Sequence, residues 1–467
     1  MKTVLAVILL SAAAVAPARS AEPDWTKVRA ELLEHFQALV RLDTTNPPGN
    51  ETQAAEYMKR VLEREGIPVK LLGQEPNRLN LVARLKGNGS KKPLLVMGHT
   101  DTVGVQPEKW INPPFSAARK DGYIYGRGTI DDKDNASTGM MLMVLLKRLN
   151  IPLDRDVIFL AEVGEEGTSN LGIGYMIENH WADIEAEYCL AEGGTVIRRN
   201  GKLSHMMVAT TEKVGRGVRL VAHGPSGHGS RPMQGNAVLR LSQAVAKVGS
   251  WQPPMRLNDT TRLYFEKLAT VSSPEDAARY NGLLNPEKTV EIQKYLAEYE
   301  PMHNSMLRTS ITPTILKAGF RANVIPSEAE ATLDIRALPD EDMVAFRTKM
   351  AEIINDPAVE IVTRGRAERP SPTPSRIDTE MYRALEASQK KHYPGAITLP
   401  TMSTGASDKS PLQAKGVQTY GIGPIVDDED TLKGFGAHSD QERIWETGLY
   451  QFLEFQWDAV MAVAASK

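Results

Sequence analysis

The sequence predicts an α/β fold, a mixed and mostly parallel sheet flanked by helices, interrupted by an inserted α+β module. Short apolar runs alternate with helix-period segments through the first part of the chain, as in sheets built from strand–helix units. Beyond His205 the texture changes to strands with few helices between them, and a Pro/Arg-rich stretch at 366–375 precedes a return to long helices. A length of 467 residues also exceeds what one domain usually holds.

Taken in order, Val28, Leu32, Phe36, Leu39 and Val40 recur at helical spacing over 24–42. Thr45-Asn46-Pro47-Pro48-Gly49-Asn50 then breaks the chain before a second amphipathic helix through Met58 and Leu62. Strands are expected at 79–85, 93–97, 156–163 and 187–191, with helices at 136–149 and 170–179. The runs 206–210 and 217–223 read as adjacent strands, followed by a Gly/Ser/Pro turn at 224–235 and a helix over 237–248. The polar, proline-broken stretch 251–306 reads as an insertion. Strands at 310–316, 329–336 and 359–363, with a helix over 341–355, complete the module; helices at 380–391 and 445–463 complete the first domain. The expected division is 21–206 with 368–467 as the first domain and 207–367 as the insert.

Lys2, the apolar run from Val4 through Val15 and the small residues of Ala18-Arg19-Ser20 have the three parts of a cleavable signal peptide over 1–20. The expectation is therefore a periplasmic or secreted protein; the competing reading is an N-terminal anchor, for which the run is short. Lys plus Arg number 55 against 58 Asp plus Glu, a formal charge of −3, which gives no support for a nucleic-acid partner. Cys189 is the lone cysteine, so no intrachain disulfide forms, and its apolar setting fits a buried structural thiol.

Chemistry collects where strands end. Leu94 to Met97 runs into Gly98-His99-Thr100-Asp101-Thr102, Val157 to Val163 into Gly164-Glu165-Glu166-Gly167, and Tyr188 to Ala191 into Glu192-Gly193-Gly194. Gly126 to Asp134 places Asp131 and Asp132 just before a helix, and Gly434 to Asp440 supplies His438. Open α/β sheets place their sites at the carboxyl ends of strands. Histidines mixed with carboxylates suit zinc, and also cobalt or manganese. Asp101, two residues past His99, is placed to accept the imidazole N–H that faces away from a metal. The pair Glu165-Glu166 requires two fates because adjacent like charges repel, one as a ligand and one as a general base. An EF-hand fails because Met143 stands at the twelfth loop position; no P-loop, dinucleotide fingerprint or G-x-S-x-G elbow is present.

Through these residues the chain resembles the M20 metallopeptidases, a family of glutamate carboxypeptidases, aminoacylases, desuccinylases and carboxypeptidase S-like enzymes. The resemblance rests on GHTDTV at 98–103, GRGTIDDK at 126–133, GEEG at 164–167, GPSGHGSRP at 224–232, RANVIP at 321–326 and GAHSDQE at 436–442. Trp110 and Pro113-Pro114-Phe115 look most like the carboxypeptidase S-like branch. It implies a zinc-peptidase-like catalytic domain, with the insert as a lid or dimerisation domain. Two divalent cations are implied, one held by His99 and Glu192, the other by Glu166 and His438, with Asp131 bridging. Glu165 matches the family's general base, Asp101 the residue behind His99, and His228 the histidine that acts near the scissile carbonyl, often across a homodimer interface. Asn323, Arg336 and Gly405 match substrate-side positions, although Arg336 also reads as a surface ion-pair partner. Asp134 stands where many relatives carry Gly, and reads either as support behind the ligands or as an exposed residue. The implied activity is hydrolysis of peptide or N-acyl amide bonds, with carboxypeptidase action leading, N-acyl-amino-acid hydrolysis second and dipeptide cleavage third. A reading of another class is a metal-loaded periplasmic binding protein, or a fold that has lost catalysis; the intact Glu165, Asp101 and both histidines speak against loss.

Overall fold

A computed structural model describes residues 22–363 and 369–466. The expected signal peptide and the 367/368 domain boundary lie outside these residues. Burial on both faces explains the central strands. In Leu94–His99, Leu94 and Val96 enter one apolar cluster while Leu95 and Met97 enter another. Val157–Glu162 behaves alike, with Val157 and Phe159 on one side and Ile158 and Leu160 on the other. A strand covered on both faces reads as a continuous apolar run rather than an alternation.

Helices Trp25–Val40, Lys133–Arg148 and Glu446–Ala464 contribute to the first cluster, and Ile173–Asn179 and Lys409–Ala414 to the second. The strand order is Val69–Glu75, Arg78–Leu85, Val157–Glu162, Leu94–His99, Tyr188–Ala191, Gln418–Gly421, Lys202–Glu212, Thr195–Arg199 and Ile425–Asp427, with Ile397–Ser403 also paired to Lys202–Glu212. Pairing is parallel through the middle, from Val157–Glu162 to Gln418–Gly421, and antiparallel toward the Val69–Glu75 edge. The expected α/β class is therefore the observed one.

A second sheet comprises Val214–Gly215, Glu328–Ala337, Val218–His223 and Val359–Thr363, with Ser310–Ala318 paired to Glu328–Ala337. It has its own core, in which Leu220 and Leu333 of the sheet meet Leu241 of helix Ala237–Ser250 and Phe346 of helix Met343–Ile354. The stretch 251–306 forms helices Asp259–Ala269, Pro274–Asn281, Thr289–Tyr299 and Pro301–Met306, which share a cluster with Leu399 and Met402 of the large sheet.

One expected pairing is corrected. Lys202–Glu212 and Val218–His223 are not neighbours, because the first lies in the large sheet and the second in the smaller one. The two runs look alike locally, and partner choice is made by distant residues. Between them, buried Lys213 donates from Nζ to Ser305 O at 3.0 Å and to Ser310 Oγ at 2.9 Å, fixing the crossing. Strand Ile397–Ser403 is an element without a sequence expectation; among the described residues it pairs only with Lys202–Glu212, where one unbonded side accommodates Pro400. Among the described residues no helix is long and apolar enough to cross a membrane.

Helix Lys133–Arg148 sits very close to the sheet, since a Cβ on Gly139 would lie 2.7 Å from the Phe159 ring. Gly139→Ala should therefore lower the denaturation midpoint, with a cost of about 1–3 kcal/mol from overpacking. An unchanged midpoint would mean that the helix can back away freely.

Candidate metal centre

Strands Leu94–His99, Val157–Glu162 and Tyr188–Ala191 are parallel neighbours, so their carboxyl ends open at one edge of the sheet. His99 closes the middle strand, Glu165 and Glu166 follow the second, and Glu192 follows the third. Asp131 arrives on the loop that precedes helix Lys133–Arg148, and His438 on the loop before strand Arg443–Trp445.

These side chains converge. His99 Nε2 lies 2.9 Å from Asp131 Oδ1, while His438 Nε2 lies 2.9 Å from Asp131 Oδ2 and 2.9 Å from Glu166 Oε1. Ligand atoms of His99, Asp131 and Glu192 all fall within 4.8 Å of one another, as do those of Asp131, Glu166 and His438. Asp131 thus belongs to both groups and offers one oxygen to each histidine.

Electrostatics follow from that crowding. Burial disfavours the His99 imidazolium, yet its bonds to Asp101 and Asp131 outweigh this and hold its pKa well above the usual histidine range. Bonds to Asp131 and Glu166 push His438 up to about 10. Both imidazoles therefore see mainly acceptor oxygens, and nitrogens and oxygens so arranged suit a divalent cation as well as they suit a proton. Burial, with Glu192 and Asp408 nearby, lifts Glu165 well above the ordinary carboxylate range.

Asp101 does more than stand behind His99. His99 Nδ1 is 3.0 Å from the Asp101 main-chain carbonyl and 3.4 Å from its carboxylate. That carboxylate accepts the main-chain N–H of Glu165 at 3.2 Å and of Glu166 at 3.1 Å, and Asn46 Nδ2 at 2.8 Å. One buried acid thereby fixes both the histidine's strand end and the glutamate loop.

Several participants escaped the sequence reading. Asn46 sits in the segment read only as a helix breaker. Glu442 and Arg127, both inside recognised motifs, form a buried ion pair at 2.6 Å, and Glu442 Oε1 also accepts the Ile130 N–H at 3.0 Å. This joins the Asp131 loop to the His438 loop. His438 adopts the left-handed region at φ 62°, a conformation that needs support in a non-glycine residue. Neighbouring Arg443 supplies some, lying 3.8 Å from the Tyr123 ring centroid and 3.9 Å from that of Phe435 while pairing with Asp430 at 2.6 Å. Asp134 is not exposed, contrary to one of the two readings: it is fully buried, and burial raises it to about 8.

The residues expected on the substrate side are not gathered in the same way. His228, exposed on the short strand Gly227–His228, has Ser230 Oγ 2.7 Å from its Nδ1. Asn323 lies beside it, its carbonyl accepting the Gly229 N–H at 2.8 Å. Arg336 pairs with Asp334 at 3.1 Å, and Gly405 is exposed in the loop after Ile397–Ser403. None of these four belongs to the two ligand groups.

Strand-end carboxylates and histidines of this kind, on such a sheet, define a class of metal-dependent hydrolases. Residues 95–461 match peptidase family M20/M25/M40, and the chain belongs to that family, whose members are enzymes that hydrolyse peptide or N-acyl amide bonds. It is 27% identical over 439 residues to the N-fatty-acyl-amino acid synthase/hydrolase PM20D1 of Xenopus tropicalis, covering 90% of this chain and 84% of that one. A probable carboxypeptidase S-like 2 of Dictyostelium discoideum is 27% identical over 390 residues, covering 82% and 74%. The fold is shared with the M20 family metallo-carboxypeptidase Sso-CP2 from Sulfolobus solfataricus, with a TM-score of 0.73 at 19% identity over 93% of this chain and 99% of that one.

Asp101→Asn places an amide where three N–H groups now point, and should weaken cation binding roughly 10- to 100-fold. Titration of metal-stripped protein with zinc reads this directly; wild-type affinity would show that Asp101 does not organise the ligands.

Proposed function

We propose that the protein is an exported, dinuclear metal-dependent hydrolase that acts as a carboxypeptidase, releasing a C-terminal amino acid. The observation that carries this reading is the carboxylate of Asp131, shared between two donor groups. His99 and Glu192 would hold one cation and Glu166 and His438 the other, with Asp131 belonging to both donor groups. Zinc is the first expectation, with cobalt or manganese also suited to the donor set. When bound, two such cations polarise the scissile carbonyl and make a water acidic.

Glu165 accepts the proton from that water and returns it to the departing nitrogen. Asp101 keeps His99 and the glutamate loop in register throughout. His228 donates to the carbonyl oxygen as negative charge develops there, brought in by closure of the inserted module or by the partner in a homodimer. Asn323, Arg336 and Gly405 line the substrate end. In this reading 207–367 form the inserted module, the first of these residues being the end of strand Lys202–Glu212, which pairs in the large sheet. The segment 1–20 directs export.

A second substrate reading, hydrolysis of N-acyl amino acids, is supported by the likeness to the N-fatty-acyl-amino acid synthase/hydrolase over 90% of this chain. A capped dipeptide, a free dipeptide and an N-acyl amino acid assayed in parallel separate the possibilities, and preference for the first is expected. Chelation should abolish turnover. Glu165→Gln should lower kcat by roughly 100- to 10,000-fold while cation content stays at that of the wild type. If cations and turnover vanish together, Glu165 is a ligand and the assignment fails.

A further inference from the structure

We propose that Arg369 is a positioning residue for Glu165, reaching into the site from the chain's return out of the inserted module; this rests on Glu165 being the base. From sequence, Arg369 belongs to a stretch read only as a linker. In the fold its guanidinium enters the metal centre's wall. Nη1 lies 3.9 Å from Glu165 Oε1 and donates to Ser407 O at 3.0 Å. Nη2 lies 3.3 Å from Asp408 Oδ1 and donates to Ser169 Oγ at 2.9 Å. One planar group thereby ties together the Glu165 loop and the segment that holds Ser407 and Asp408.

Three features give this arrangement a role in catalysis. First, the main chain of Glu165 is already fixed by Asp101, whereas its carboxylate has Arg369 as its ion-pair partner among the described residues. The two anchors divide the work, one setting where the residue sits and the other where its oxygens point. Second, Glu165 is surrounded by acids, since Glu192 and Asp408 both face it, and Asp408 is itself buried. Without a cation at this spot, the carboxylate of Glu165 would turn away from its acidic neighbours and so away from the water it must deprotonate. Third, Arg369 is held from behind. Its carbonyl accepts from Arg216 Nη1 at 2.7 Å, and Arg216 Nη2 lies 3.3 Å from Ser371 Oγ. Arg216 stands between Val214–Gly215 and Val218–His223, at the outward crossing into the module. The two crossings are therefore joined at the residue that orients the base, and movement of the module is felt by Glu165.

Lysine offers three donors on a flexible stem in place of a rigid fork, so it reaches Glu165 or Asp408 but not the whole set. The test uses full-length Arg369→Ala and Arg369→Lys, cation content, and kcat and KM measured separately on the best substrate. Arg369→Ala should lower kcat roughly 10- to 100-fold, the scale of a misplaced catalytic group, with KM within about threefold and cation content unchanged. Low, non-denaturing guanidinium should restore part of the kcat of Arg369→Ala and none of that of Glu165→Gln; Arg369→Lys should fall between wild type and Arg369→Ala. Raised KM at unchanged kcat would instead make Arg369 a substrate contact, and loss of cations or of fold in both variants would make it structural. Either result overturns the proposal, as does wild-type kcat. Failure of the base reading is separately visible as an active Glu165→Gln.

Discussion

Asp131 presents one oxygen to His99 and the other to His438, and much of the larger domain exists to tolerate and direct the charge gathered around it. Removing carboxylates from water is costly unless each meets an opposite charge or a set of donors. Here Asp131, Glu162, Glu165, Glu192 and Asp408 all lie at or behind one sheet edge. Against them stand His99, His438, Arg369 and Lys409, the last donating to the main-chain carbonyl of Glu192 at 2.9 Å and pairing with Glu212 at 3.2 Å. Gly193 is part of the same solution, because a Cβ there would sit 2.6 Å from the Lys409 ammonium.

A repeated device holds the clustered histidines and carboxylates in place. A buried carboxylate takes main-chain N–H groups from a ligand-bearing loop and a side-chain partner from elsewhere. Asp101 does this for the Glu165–Glu166 loop with Asn46, and Glu442 for Ile130 with Arg127. Asp132 differs in having a local side-chain partner, accepting the His99 N–H at 3.1 Å and the amide of Asn135, three residues on, at 2.5 Å. Main-chain donors cannot swing as side chains do, so these bonds fix loop position and leave the outward carboxylates and imidazoles aimed at a common point.

The smaller sheet has a core of its own, separate from those flanking the large sheet. The helices of 251–306 bridge the two, sharing a cluster with Leu338 at the end of the smaller sheet and with Leu399 and Met402 of the large one. His228 and Asn323 ride on the smaller unit, while the donor groups ride on the larger.

Strand-end histidines and carboxylates, the alternation of strands with helices and the apolar runs of the central strands were all visible in sequence, because each depends on residues close together in the chain. Tertiary structure alone decided which strands pair, so that 202–212 and 218–223 parted into different sheets and Pro400 found an edge. It also decided which residues surround the clustered acids and histidines: Asn46, Arg127, Glu442 and Arg369 come from segments far apart in sequence, and a charge pair leaves no local pattern when its partners lie hundreds of residues away. Local periodicity reports which face of an element is buried. What that face meets is settled only when the whole chain has packed.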